Sequence, residues 1–555
     1  MSRTRVSRTL SGQPGCPWGF PALAAALAAA LAVLWLATLA ARPLFNPDEG
    51  RYAEIPREML SGGDWVVPHL NGLAYVEKPP LQYWATALSY RLLGPSAFAA
   101  RLYCALCALA TLMLAGLTAG RLWSAQAGWC TSAVLAGMFM FVVLGQLLTL
   151  DMSLTFYMTL SLAAFLLAQQ APGLRWMLLA WAATACGVLT KGVVAAAIPA
   201  AVLILYTAYS RDFGPCRRLQ LKWGLPLFLA LTVPWHVLAA RRLPDFLEFF
   251  FVHEHLARYL TPIADRQEPW WFFAGVFVAG TVPWTVPALR ALGGGWRRRA
   301  APGTFDPILF LWIWVVFIGI FFSLSDSKLM PYILPAMPAL ALLIGARPSA
   351  QLQRSFLLTA AITVAAGVVL GAASLNWARL VASSNRSAYF LPLARPLGQI
   401  ALLLTVSGAF VLAQRVRDAT RAAVFLGVGW CLAWLLLIRA AALVAPIYSG
   451  AGLAAGLAGA ARDVPFYSVG TYDQSLTFYL QRTVMLVGYR GELDYGLRKA
   501  PRAEIADMAE FLRRWALGSR AFAVMERSMF DELKSQGVPM RLVAQDATRV
   551  LVARQ

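Results

Sequence analysis

The chain has 555 residues, of which 59% are hydrophobic and only 14% charged. Soluble proteins carry roughly a quarter charged residues, so this balance excludes intrinsic disorder and argues against an ordinary water-soluble enzyme. The net charge of +21, from 48 Lys+Arg against 27 Asp+Glu, suits anionic lipids or substrates; nucleic acid is disfavoured as a partner, because no basic run of the usual length stands in a soluble segment.

Arg3, Arg5 and Arg8 precede an apolar run from Pro21 to Ala41. At about 20 residues this run is long enough to cross a hydrocarbon core and longer than the core of a signal peptide. It predicts an uncleaved first span behind a short cytoplasmic tail, residues 1–20. Further apolar blocks stand near 97–120, 126–148, 150–169, 176–190, 193–209, 224–240, 270–290, 305–324, 330–346, 355–375, 392–413 and 422–446, giving about 13 spans over 21–446. Cys104, Cys107, Cys130, Cys186 and Cys431 lie inside such blocks, where cysteine acts as a small hydrophobe; the CxxC spacing of Cys104 and Cys107 is therefore read as packing.

Loop charges predict the orientation. One set of loops carries Arg121, Arg175, Arg211 to Lys222, Arg297 to Arg299, Arg347, Arg354 and Arg415 to Arg421 with few acids, as cytoplasmic loops do. The opposite set carries mixed charge, and an odd number of spans places the C-terminus outside. Beyond Pro446, over 447–555, short apolar runs (Phe466–Val469, Val484–Val487, Ala521–Met525, Arg541–Val543, Val550–Ala553) alternate with amphipathic stretches near 473–480, 502–515 and 527–536. That alternation predicts a small α/β domain on the outer side. Its Ser468, Ser475 and Ser528 have no histidine companion, because the last histidine of the chain is His255; a Ser–His mechanism there is excluded.

The first outer loop, 42–95, is long for a compact bundle. It reads Asn46-Pro47-Asp48-Glu49-Gly50-Arg51-Tyr52-Ala53-Glu54 and later Glu77-Lys78-Pro79-Pro80-Leu81. Tyr52, Ile55 and Met59 share one helical face, which predicts an amphipathic helix lying flat on the membrane. Asp48 has two roles open to it: an N-cap behind Pro47, or a carboxylate at a reacting centre. Two adjacent acids, Arg51 and Lys78 in one segment beside lipid favour the second, since charges at such places mark substrate sites or proton paths.

These linked motifs resemble the GT-C glycosyltransferases that use lipid-phosphate sugars, in the branch that moves aminoarabinose from undecaprenyl phosphate to lipid A, relatives of the protein O-mannosyltransferases. The resemblance covers the whole chain and implies a polytopic all-α bundle of about 13 spans with a C-terminal extracytoplasmic α/β domain. It also implies a bacterial inner-membrane location, an undecaprenyl-phosphate-linked sugar donor, lipid A or another lipid as acceptor, and a monomer. Asp48 matches the catalytic acid of the family, accompanied by Glu49, and Asp151 in Leu148-Thr149-Leu150-Asp151-Met152 matches a second acid.

Arg51, Lys78, Arg258 (in Glu254-His255-Leu256-Ala257-Arg258, within the second outer loop, 241–270), Lys328 and Tyr332 (in Lys328-Leu329-Met330-Pro331-Tyr332-Ile333-Leu334-Pro335) are expected to hold the donor phosphate. Lys191 also resembles a family position, or is an interface anchor. No cofactor is required by the resemblance; Glu77, His253 and His255 are the candidate ligands if a divalent metal such as zinc binds. Two rivals stand beside this expectation. One is a related transferase with another acceptor, such as a protein O-mannosyltransferase. The other is a flippase or transporter, which is expected to place its charges near the midplane between internal repeats.

Overall fold

The computed structural model describes residues 19–171, 173–261, 266–295, 304–414, 418–457, 463–518 and 520–554. The basic residues Arg3, Arg5, Arg8, Arg297 to Arg299, Arg415 and Arg417, and nearly all of the tail 1–20, lie outside them. The rest is mostly helical. Among the described residues, six helices are long and apolar enough to cross a membrane: Ala97–Leu122, Leu150–Gln170, Leu221–Arg242, Ser349–Leu375, Ser387–Ala413 and Ala419–Tyr448. Shorter apolar helices cover Ala25–Ala40, Val194–Ser210, Pro307–Ser323 and Met330–Gly345.

Two apolar blocks that read as continuous are broken. Residues 126–148 form two helices, Ala125–Gly137 and Phe139–Gly145, bent by 70°. The block 270–290 divides into Phe272–Gly280 and Thr285–Leu292. Freed backbone groups inside an apolar bundle must find partners, and here the two breaks partly satisfy one another. The Phe139 N–H donates to the Val282 carbonyl at 3.0 Å, and the Trp434 indole donates to the Gly137 carbonyl at 2.9 Å.

The C-terminal α/β domain is as expected, with five of its six strands on the apolar runs and the short strand Glu504–Ile505 inside the stretch 502–515 read as amphipathic. A two-residue hairpin in the first outer loop supplies β1 (His69–Leu70) and β2 (Leu73–Ala74). The domain then adds β3 (Phe466–Val469), β4 (Met485–Val487), β5 (Glu504–Ile505), β6 (Phe522–Glu526), β7 (Met540–Gln545) and β8 (Arg549–Arg554). The six strands are ordered β5-β4-β3-β6-β8-β7. β5, β4, β3 and β6 run parallel, β8 pairs antiparallel with β6, and β7 pairs antiparallel with β8.

A parallel sheet is covered on both faces, and this one has unlike covers. Tyr467, Val469, Met525 and Val552 pack with Phe511 and Trp515 of the helix Met508–Leu517. Phe466, Leu486, Val524 and Leu551 belong to one core with Tyr52, Ile55, Met59 and Leu70 of the first outer loop.

That shared core corrects one expectation. The helix Asp48–Gly62 does carry Tyr52, Ile55 and Met59 on one buried face, but its other side is buried too, from Glu49 through Met59. It is not a helix lying free on a membrane surface; the C-terminal domain roofs it. Local reasons for the helix are clear: Asp48 and Glu49 stand in its first turn, where acids favour the dipole, and Gly63 ends it at φ 71° with its N–H donating to the Met59 carbonyl, a left-handed cap.

Polar clamps fix the roof. The Asn46 side chain donates to Asp473 at 2.8 Å and accepts from the Ser475 N–H at 2.8 Å. Asn71, at φ 56° in the hairpin turn, donates to the Val484 carbonyl at 2.9 Å and accepts its N–H at 2.7 Å. Gly50 lies so close to the roof that a Cβ there meets the Ser475 nitrogen at 2.4 Å and the Gln474 carbonyl carbon at 2.7 Å. Backbone cannot yield as a side chain can, so Gly50→Ala is expected to destabilise the chain by about 1–3 kcal/mol. Thermal unfolding of the detergent-purified protein checks this; an unchanged midpoint means that the roof is not held there.

Candidate functional site

Five segments that are remote in sequence converge on one cavity of about 710 Å³. The first turn of the helix Asp48–Gly62 and the Glu77-Lys78 turn come from the first outer loop. The start of the helix Leu150–Gln170 and the end of Leu174–Lys191 bring Asp151 and Lys191. The second outer loop and the turn before Met330–Ala336 supply the remainder. Asp48, Arg51, Glu77, Lys78, Asp151, Lys191, Glu254, His255, Arg258, Arg266 and Tyr332 all line this space, beside apolar walls that include Leu154, Val194, Ile198 and Phe322. A charged floor next to an apolar wall suits a phosphate carried on a hydrocarbon tail.

The second outer loop, read as a loop in sequence, is a π-helix from Glu248 to Ala257, continued by a turn of α-helix, Arg258–Leu260. π-Helical turns concentrate at functional sites, and this one places Glu254 between two cations. Lys78 Nζ lies 3.0 Å from Glu254 Oε2, and Arg258 Nη1 lies 2.7 Å from the same oxygen. Burial alone raises the Glu254 carboxyl, but Lys78 and Arg258 hold it below the usual carboxylate range. Arg258 also faces Glu77 at 3.8 Å. Lys191 forms an ion pair with Asp151, and its Nζ stands 5.0 Å above the Tyr332 ring. Lys191 is therefore part of the charged floor.

Asp48 and Glu49 part company. The helix cap is Pro47 with no side-chain cap bond, so Asp48 is not an N-cap. Its carboxylate is 52% exposed and faces Arg51 loosely at 3.6 Å, which leaves it available within the cavity. Glu49 points the other way and does not line the cavity. It accepts from Arg42 at 2.5 and 3.0 Å, from Arg101 at 2.7 and 2.9 Å, and from the Phe45 and Leu148 N–H groups at 3.0 and 3.1 Å. Every lone pair of that carboxylate is engaged within the fold.

Two further expected residues fall outside the lining. Lys328 is buried, and its backbone N–H donates to the Arg266 carbonyl at 3.0 Å. His253 is 47% exposed, 3.5 Å from Glu254, with its ring stacked on Phe249. The expected metal ligands do not gather. His255 is spent on the Phe250 carbonyl, with its Nδ1 2.6 Å away, and it packs over Gly192, whose backbone (φ 93°) leaves no room for a Cβ beside the His255 Nε2. Glu77 faces Arg258. Among the described residues no three His, Cys, Asp or Glu side chains form a metal-binding group, and Glu77, His253 and His255 do not fit one.

Sequence reasoning missed what the C-terminal domain contributes. Glu492, held by the Gln474 amide at 2.7 Å, forms an ion pair with Arg51. Burial pushes the Glu492 carboxyl up, against the pull of Arg51. Nothing in the spacing of Glu492 signals this reach. The β1–β2 hairpin, by contrast, had a signal in Asn71-Gly72, the pair that favours tight turns with positive φ.

Comparison with known proteins agrees with this geometry. Residues 457–554 match the family model described as aminoarabinose transferase C-terminal domain, and residues 20–250 match that of dolichyl-phosphate-mannose-protein mannosyltransferase. An undecaprenyl phosphate-alpha-4-amino-4-deoxy-L-arabinose arabinosyl transferase of Aeromonas salmonicida is 36% identical over 328 residues, 57% of this chain and 58% of that protein. One from Pseudomonas paraeruginosa is 37% identical over 324 residues, again 57% and 58%. The chain thus matches less than two thirds of the length of these curated relatives. The crystal structure of ArnT from Cupriavidus metallidurans bound to undecaprenyl phosphate superposes with a TM-score of 0.87 at 33% identity, over 96% of this chain and 98% of that one.

Proposed function

The chain belongs to the ArnT family of undecaprenyl phosphate-aminoarabinose arabinosyl transferases, and from that membership we propose that it moves 4-amino-4-deoxy-L-arabinose from undecaprenyl phosphate to a phosphate of lipid A. The bundle then crosses a bacterial inner membrane about 13 times, counting broken and short apolar helices as crossings, with the N-terminus cytoplasmic and the α/β domain periplasmic. The observation that carries the proposal is the cavity itself. An accessible carboxylate, Asp48, shares it with Lys78 and Arg258 beside an apolar wall.

In this mechanism the donor phosphate lies against Lys78, Arg258 and Tyr332, with Arg51 turned toward it by Glu492. An acceptor phosphate oxygen forms the new bond to the anomeric carbon. The bond from that carbon to the donor phosphate breaks, and its electron pair leaves with undecaprenyl phosphate. Cations preset around the leaving phosphate stabilise the charge that develops there. Asp48 faces the sugar and stabilises the positive charge of the ring as the bond breaks. Asp151, paired with Lys191, fixes the ammonium of that lysine beside Tyr332. A phosphate monoester is largely dianionic at neutral pH, with a second pKa of about 6, so the attacking oxygen needs no strong base.

Mass spectrometry of lipid A from cells with and without the protein tests the proposal. A pentosamine added only in its presence is expected. An identical lipid A profile overturns the assignment of acceptor while leaving the family intact.

A further inference from the structure

Transfer between two phosphate-bearing lipids requires two phosphates near one carbon, one leaving and one attacking. Most cations of the cavity are already engaged. Lys78 and Arg258 share Glu254, Lys191 holds Asp151, and Arg51 holds Glu492. Two cations differ. Arg266 lines the cavity and, among the described residues, its guanidinium has no ion pair or hydrogen bond. Lys328, outside the lining but next to Ser327 in the chain, likewise has no counter-ion among the described residues, and it is only 8% exposed. A buried ammonium without an anion is costly unless one arrives.

A third group, Ser327, precedes Lys328 in the chain and lines the cavity with Arg266. The Ser327 hydroxyl is buried without a hydrogen-bond partner, and Ser327 lines the cavity. A buried donor left unpaired is expensive, and a ligand oxygen relieves it. The backbone holds the three together: the Lys328 N–H donates to the Arg266 carbonyl at 3.0 Å, and the Asp326 N–H donates to the Tyr259 carbonyl at 3.2 Å. Asp326 is exposed and outside the lining, so it does not cancel the two cations.

We propose that Arg266, Ser327 and Lys328 form a second anion subsite, which holds the phosphate monoester of the acceptor lipid. The proposal rests on the transferase function above and assigns Lys328 to the acceptor instead of the donor. Guanidinium and hydroxyl, which line the cavity, take outer oxygens of the acceptor phosphate, the buried Lys328 ammonium beside Ser327 offsets its charge, and one oxygen is left free to attack the anomeric carbon. That oxygen carries no proton, so none has to be moved.

The test uses the full chain in detergent, with Arg266→Gln, Lys328→Gln and the milder Ser327→Ala. Steady-state transfer is measured while donor and acceptor are varied separately, and binding of lipid A and dephosphorylated lipid A is measured by native mass spectrometry. The KM for the acceptor is expected to rise on the order of 10-fold, the loss of one charge-assisted hydrogen bond. The KM for the donor is expected to stay constant, and the preference for phosphorylated lipid A to disappear. A parallel rise in the donor KM assigns the subsite to the donor and overturns the proposal, as does unchanged acceptor KM in the variant at Arg266, which is partly buried. If the wild type transfers no pentosamine, the function above fails; the binding preference still decides the subsite, and its absence in the wild type overturns it.

Discussion

Replacing Asp48 by Asn is expected to abolish sugar transfer and leave the fold in place. The two effects separate because the Asp48 carboxylate is 52% exposed in the cavity and paired only loosely, 3.6 Å from Arg51. Loss of a charge at such a place changes stability by about 0.5 kcal/mol or less. Its chemical cost is large. A preset charge aimed at a developing charge accounts for about 10²–10³ in kcat, and Asn keeps the shape while removing the charge. Single-turnover transfer from the undecaprenyl-linked donor, with thermal unfolding measured in parallel, separates the outcomes. Activity within ten-fold of the wild type removes Asp48 from the reacting centre. A pH series adds a second discrimination. If Asp48 were a general base, raising pH would rescue the Asn variant as the acceptor loses its last proton; a charge-stabilising role leaves no such rescue.

The charge pattern that singled out Asp48 was local, and so it was legible. Asp48, Lys78, Asp151, Arg258 and Tyr332 stand in short motifs, and all five line one cavity. Apolar run length likewise located most helices, and alternation located five of the six strands of the C-terminal sheet; β5 lies inside a stretch read as amphipathic. What escaped depends on partners distant in the chain. The break at Gly137–Met138 follows from a facing break and an indole 297 residues away, and no window of sequence contains both. The roof over Asp48–Gly62 depends on a Gly50 that packs against Ser475; a glycine inside an amphipathic helix does not announce which backbone approaches it. The two unpaired cations at Arg266 and Lys328 were invisible for the same reason. Sequence shows that a cation is present, but only the fold shows whether an acid has already taken it.

Glu49 makes the sharpest case, and its substitution carries the largest expected effect on stability. In sequence it is the twin of Asp48, yet its carboxylate binds Arg42 and Arg101, both buried. Arg101, from 52 residues downstream, also donates to the carbonyls of Leu39, Arg42 and Pro43 at 2.7 to 2.9 Å, so the network ties the first helix, the first outer loop and the helix Ala97–Leu122 into one joint. Glu49→Gln keeps the volume but leaves two buried guanidiniums without their anion. Breaking a buried pair in this way costs about 3–5 kcal/mol, roughly a fifth or more of the stability of a typical domain.

The linkage has a definite sign. Burial alone raises the Glu49 carboxyl, but the Arg101 and Arg42 charges hold it well below its ordinary value of 4.5. The stability it contributes is therefore present in full above that value and is lost as pH falls below it toward the depressed folded pKa. Thermal midpoints of the wild type are expected to show no change from this group between pH 7 and 5 and a decline below. The Gln variant is expected to unfold at lower temperature at neutral pH, and its deficit should narrow as acid removes the same charge from the wild type. A Gln variant with a wild-type midpoint at pH 7 shows that the two arginines do not depend on Glu49. A deficit that widens in acid shows that the charge is not what holds the joint.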